Sequence, residues 1–200
     1  INKKKSGGLL LVTQSAEELS PLMSSEYDFI EEKFSDLSSF YNSLNQDLKR
    51  QTTIRLYHDN TNEYACEEQR WKDLDNNINL ELGFTNISKL IKKNKIVIYT
   101  YDSTGFLECL SQNIPVILFI DVKELNTIIT SEIKEDYNLL ERANILFIDY
   151  KELSTHIDKV WHNIDLWWNS LNTQNAIKKF SKKYCKSVSN PITILNRTLI

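Results

Sequence analysis

The stretch Tyr99-Thr100-Tyr101-Asp102-Ser103-Thr104-Gly105-Phe106-Leu107-Glu108 leaves the apolar run at residues 96–100 and places behind it two hydroxyls, a glycine and, one helical turn later, a carboxylate. A strand that runs through a polar turn into a helix exposes the first-turn amides, which have no partner inside the helix. Those amides and the helix dipole favour an anion. Ser103 and Thr104 add hydroxyl donors, and Gly105 has no Cβ to keep a phosphate away from the backbone. Glu108 faces the same end, where a carboxylate can accept hydrogen bonds from two neighbouring sugar hydroxyls. Asp102 or Ser103 could equally be an ordinary helix cap. No Lys follows the glycine, so this is not a Walker loop.

A second group is Arg55-Leu56-Tyr57-His58-Asp59, at the end of another strand-like run. A buried strand rarely carries an Arg unless something pairs with it. Arg55 can grip a phosphate through two parallel hydrogen bonds, or it can form an internal ion pair, with Glu67 or Glu68 as candidate partners. Arg70 is a further phosphate candidate, with a solvated helix face as the simpler account. His58 is a weak candidate for catalysis, since a lone His in a turn is more often a surface residue. Asp121, behind the run at 115–120, reads as a helix cap.

These groups need a scaffold. Compact apolar runs at residues 9–13, 53–57, 77–80, 96–100, 115–120 and 145–148 read as strands. Tyr27, Ile30, Phe34, Leu37, Tyr41, Leu44 and Leu48 alternate in steps of three and four, which predicts one long amphipathic helix. Helices are also expected over 63–74, from a Thr85 cap onward, over 105–112, over 122–142 and over most of 151–187. Strands alternating with helices imply right-handed crossovers. The expected fold class is therefore α/β, a Rossmann-like three-layer sandwich with a mostly parallel sheet. In such a sheet, ligands bind beyond the carboxyl ends of the strands, where the groups above lie. We expect residues 1–150 to form a Rossmann-like ligand-binding domain and 151–200 a helical extension packed on it.

The chain has 200 residues, 41% hydrophobic and 26% charged, with a net charge of −3. That composition is ordinary for a globular domain. No global basic excess argues for nucleic acid, and no apolar run is long enough to span a bilayer. Cys66, Cys109 and Cys185 are odd in number and widely spaced, without a CxxC, so neither a zinc site nor a disulfide framework is indicated. A reducing cytoplasm is the natural reading. Ile1 is not an initiator Met, and we read the start as an internal cut in a longer protein. Trp161, Trp167 and Trp168 read as packing rather than a sugar platform. Lys178, Lys179, Lys182, Lys183 and Lys186 form a basic face that is either solvated or set against anionic lipid head groups at the inner face of the membrane.

Residues 101–110, followed by Asn113-Ile114-Pro115-Val116-Ile117-Leu118-Phe119, resemble the Y-x-S-T-x-F-L-E-x-L-x-x-N-I-P-x-I-x-F signature. That signature belongs to a family of transferases encoded in bacterial surface-polysaccharide (O-antigen) loci. Arg55-Leu56-Tyr57 with Arg70 is similar to that family's arginine-bearing strand and helix. Trp161, Asp165, Trp167-Trp168-Asn169, Gln174 and Phe180 are similar to its C-terminal ending. The donor loops of capsule and teichoic-acid transferases are similar as well. The resemblance implies the C-terminal half of a GT-B architecture, with the missing N-terminal domain supplying acceptor contacts and the catalytic base. It further implies a nucleotide-diphosphate sugar as donor, a glycan or lipid-linked acceptor, and no metal or other cofactor. Ser103, Thr104, Gly105, Glu108, Arg55 and Arg70 would then bind the donor. Two rivals stay open. One is a sugar-nucleotide epimerase on the same two-domain plan, although no convincing set of acid–base residues is present. The other is a non-catalytic Rossmann-like binding module.

Overall fold

Among the described residues, six parallel strands form one sheet in the order β3-β2-β1-β4-β5-β6, with helices on both faces. The computed structural model describes residues 7–14, 26–57 and 66–185. The strands are β1 (Leu9–Val12), β2 (Thr52–Arg55), β3 (Asn79–Glu81), β4 (Ile96–Tyr99), β5 (Val116–Phe119) and β6 (Leu146–Phe147). β1, β4 and β5 are buried at every residue. That accounts for their unbroken apolar runs, because a strand covered on both faces has no polar side. The sheet is wholly parallel, and the expected three-layer α/β sandwich is the fold observed.

One face carries Leu10, Val12, Val97, Val116 and Leu118. It is covered by α4 (Ile87–Lys93), α5 (Thr104–Ser111), α7 (Lys134–Arg142) and α10 (Leu171–Tyr184). The opposite face carries Leu9, Leu11, Ile54, Ile98 and Ile117 under α1 (Glu26–Ser43), α2 (Gln46–Gln51), α3 (Glu67–Leu74), α8 (Tyr150–Val160) and α9 (Ile164–Trp168). The remaining helix, α6 (Val122–Ile128), follows β5, and Asp121 caps it by accepting from Lys123 N and Glu124 N at 2.6 and 3.3 Å.

Three boundaries differ from the periodicity. The long helix expected through Leu48 breaks after Ser43. Asn45 starts α2 by accepting from Leu48 N at 2.9 Å, and this re-aims the chain while keeping Leu48 buried. The helix after β3 is capped by Asn86, not Thr85: the Asn86 side chain accepts from Ser88 N at 2.9 Å, while the Thr85 amide is tied back to Glu81 Oε1 at 2.7 Å. The stretch 122–142 is two helices, with Ile129 and Ile133 packed against the core between them. The turn expected from His58 and the Lys186 end of the basic face lie outside the described residues.

The tryptophans hold the C-terminal helices down. Trp168 is 2% exposed and donates its Nε1–H to Asn113, 2.9 Å from Oδ1 and 3.1 Å from the carbonyl. Gln174 Nε2 bonds the same Oδ1 at 3.1 Å and the Trp168 carbonyl at 2.7 Å. Asn113 itself has φ 54°, a conformation Asn tolerates better than most residues. Trp167 Nε1 donates to the Ala143 carbonyl at 3.0 Å. His156 is wedged between Phe147 and Trp167 (ring centroids 5.2 and 4.8 Å), and its buried Nε2 has no partner among the described residues.

Gly8 admits β1 to the sheet. It passes so close to the end of α2 that a Cβ would overlap the Gln51 carbonyl oxygen. That acceptor is backbone and cannot swing aside. Gly8→Ala is therefore expected to destabilise the protein by about 3 kcal/mol, read as a lower midpoint at unchanged slope in urea unfolding.

Burial, with a smaller push from Lys159, lowers the His156 pKa to about 4. The folded state then takes up its proton at lower pH than the unfolded chain does. The associated stability is complete above pH 6.5 and is lost as pH falls towards 4, to the extent of about 3 kcal/mol. His156→Phe keeps the ring contacts and removes the titration. Its unfolding free energy should fall less steeply between those pH values than that of the natural protein.

Candidate functional site

The strand order reverses between β1 and β4. β1 is followed by β2 on one side, while the later strands continue on the other, and the connections leaving the two carboxyl ends diverge there. Register fixes what lies along that edge. Val12 pairs with both Arg55 and Tyr99, Arg55 pairs with Glu81, and Tyr99 pairs with Leu118. Paired residues of parallel strands share a face. Glu81, Arg55, Val12, Tyr99 and Leu118 therefore form one row across five strands, on the face that carries α4 and α5.

Arg55 does pair internally, but with Glu81 rather than with Glu67 or Glu68. Its Nε lies 3.2 Å from Glu81 Oε2. The N–H is out of line with that oxygen, and the buried donor makes no hydrogen bond. Nη2 makes long contacts to the carbonyls of Gly83 (3.5 Å) and Thr85 (3.4 Å). Among the described residues Nη1 has no acceptor, so one arm of the fork is uncommitted. Glu81 also accepts from the amides of Gly83 and Thr85, which ties the β3–α4 turn to the same carboxylate.

The turn after β4 is held from two directions. Ser103 is extended (φ −141°, ψ 160°) and accepts from Phe106 N at 3.3 Å, so it is the cap of α5. Its hydroxyl proton remains available to donate. Asp102 accepts a short hydrogen bond from the Tyr137 hydroxyl of α7, and Tyr137 stacks edge-on against Phe180 of α10 (5.6 Å). Burial, then Asp102, raises the Tyr137 phenol above its ordinary range, so it stays a donor. The amides of Thr104 and Gly105 find no acceptor among the described residues. Thr104 and Glu108 are exposed on α5, and Gly105 is partly exposed.

Gly105 has a reason beyond access to backbone. A Cβ there would collide with the Tyr99 hydroxyl and lie 2.8 and 2.9 Å from Cζ and Cε1 of the same ring. The ring is 2% exposed and meets Tyr101 edge-on at 6.2 Å. Tyr99 opens the candidate stretch in the sequence, but it ends an apolar strand and looks like core, so no contact of its own is expected there.

Arg70 stands apart from this row. It lies on α3, over the opposite face, with its guanidinium 4.0 Å from the Phe34 ring centre and Nη2 2.7 Å from Glu31 Oε2. The structure therefore does not bring Arg55 and Arg70 together. His58 and Asp59 lie outside the described residues. On Arg70's side of the sheet is a second charged group. Lys33 of α1 reaches Gln14 Oε1 (2.6 Å) and Glu124 Oε2 (3.1 Å), and the side chains of Lys33 and Glu124 are each 15% exposed. Burial lowers the Lys33 pKa against the pull of Glu124, and burial pushes Glu67 up to about 7 against Arg70 and Lys33. Neither Lys33 nor Glu124 was singled out in the sequence. The available clue was that Lys33 stands four residues before Leu37, on the apolar stripe.

Among the described residues, no group of three or more His, Cys, Asp or Glu side chains could hold a metal ion, and no helix is long and apolar enough to cross a membrane. No curated protein matches the chain. A family model described as LIC12162 family transferase matches residues 1–199. With all but the last residue matched, the chain belongs to the LIC12162 family of transferases.

Proposed function

We propose that this chain is the donor-binding domain of a GT-B-type glycosyltransferase that uses a nucleotide-activated sugar in surface-polysaccharide synthesis. The observation that carries this reading is the pair of unpartnered amides, Thr104 and Gly105, at the start of α5 beside the strand-order reversal. An anion bound there gains from the helix dipole. Arg55 adds a positive charge in the edge row, with Nη1 uncommitted among the described residues. Glu108, one turn along α5 and exposed, is suited to hold hydroxyls of a ribose or sugar.

In the reaction so proposed, an acceptor hydroxyl of a glycan or lipid-linked glycan attacks the anomeric carbon. The bond from that carbon to the diphosphate oxygen breaks as the new glycosidic bond forms. Negative charge grows on the leaving diphosphate, where prearranged amides and Arg55 stabilise it more than they stabilise the ground state. The hydroxyl proton passes to a base that we assign to an N-terminal domain of the same protein. Arg70 takes no part in this scheme, because its guanidinium lies over the other face of the sheet.

The first test is a thermal melt of the chain with UDP, CDP and GDP. One of them, at a hundred times its dissociation constant, should stabilise the protein by about 2.7 kcal/mol. No shift with any of the three favours a non-catalytic module. In the full-length protein, Glu108→Ala and Arg55→Ala should each lower kcat/KM for sugar transfer by about 100-fold or more. Glu108→Ala should leave the melting temperature unchanged, and undiminished turnover in both variants contradicts the assignment.

A further inference from the structure

The Tyr99 side chain is almost wholly enclosed, yet its hydroxyl makes no hydrogen bond among the described residues. Buried phenols normally find a partner, and an unpaired one costs free energy. The oxygen is not among the fully enclosed unpaired atoms, which are Arg55 Nε, Thr100 Oγ1, His156 Nε2 and Ser181 Oγ. It reaches the first turn of α5 at Gly105, in the space a side chain would otherwise fill. Glu108 and Arg55 both act on its titration, the carboxylate raising and the guanidinium lowering it, after burial as the main cause. The hydroxyl therefore lies within electrostatic range of both groups named above as donor contacts.

We infer that the Tyr99 hydroxyl is a third donor of an anion cradle, directed with the Thr104 and Gly105 amides at one phosphate of a diphosphate ligand. The inference rests on the donor-site reading and adds a binding residue to it. A phenol held by a rigid ring is pre-oriented, so little freedom is lost when it donates. Gly105 is required because any larger residue displaces that hydroxyl. This also explains the Tyr at the end of β4, where Leu or Ile would fill the core without leaving an unpaired oxygen.

The test uses the natural chain and Tyr99→Phe, which keeps the ring and removes only the hydroxyl. Each is titrated by calorimetry with inorganic pyrophosphate and with UDP, CDP and GDP. The Tyr99 ring 13Cζ resonance of the natural chain is followed in parallel. The expected result is an affinity about ten-fold weaker in Tyr99→Phe for pyrophosphate and for the preferred nucleotide. The Cζ resonance should shift on saturation, and the ligand-free melting temperatures should match or favour the variant. Equal affinities with an unmoved resonance overturn the inference and leave the donor site standing. Tyr99-dependent binding of pyrophosphate without binding of any nucleotide keeps the cradle and removes the nucleotide-sugar reading. No binding of any probe by the natural chain overturns both.

Discussion

A parallel sheet can be extended only by crossovers, and because these are right-handed, a chain that reverses its direction of travel must cover the opposite face of the sheet. In this protein the reversal falls between β1 and β4, the two strands with the least access to solvent. Both are buried on two faces, so almost every position on them is apolar. Chemistry can enter only at the carboxyl edge, where the strands hand over to turns. Tyr99 is the last residue of β4 and Arg55 the last of β2, and register joins both to Val12. The row of site candidates thus follows from strand pairing before any side-chain bond is considered.

Other interactions keep that edge in place. Glu81 joins Arg55 to the turn before α4, through one ion pair and two amide hydrogen bonds. Tyr137 holds Asp102 and links the turn before α5 to α7, and through Phe180 to α10. Trp168, Asn113 and Gln174 fasten α9 and α10 to the chain between α5 and β5. The C-terminal tryptophans thereby act through packing, some distance in the chain from the turn they support. None of these bonds satisfies the first two amides of α5.

Much of this architecture was legible because it rests on burial periodicity. β1, β4 and β5 are continuous apolar runs, and α5 begins at a Ser-Thr-Gly turn capped by Ser103, one of the two residues the sequence offers for that role. The break at Asn45 was not legible. The apolar stripe continues across it to Leu48, and the break depends on a cap bond that competes with helix continuation. The Arg55 partner was misplaced because Glu81 is distant in sequence and comes alongside only when β3 pairs with β2. Gly105 was singled out as a backbone position that a phosphate could approach, and the structure adds a different reason for it, the absence of room for a side chain. What fills the space is a phenol from the preceding strand, a tertiary fact that no local spacing encodes. Arg70 resembled Arg55 in type, but the sheet separates them because α3 crosses the other face.

The central claim is that the Thr104 and Gly105 amides receive an anionic donor group. Their 1H–15N resonances can be followed directly as the preferred nucleoside diphosphate is added to the chain. The account predicts that both amide protons move downfield in step with saturation, as expected of donors gaining a charged acceptor, while amides at the opposite edge of the sheet, such as Gly8, stay still. Saturation with Thr104 and Gly105 unmoved would contradict it and place the anion elsewhere.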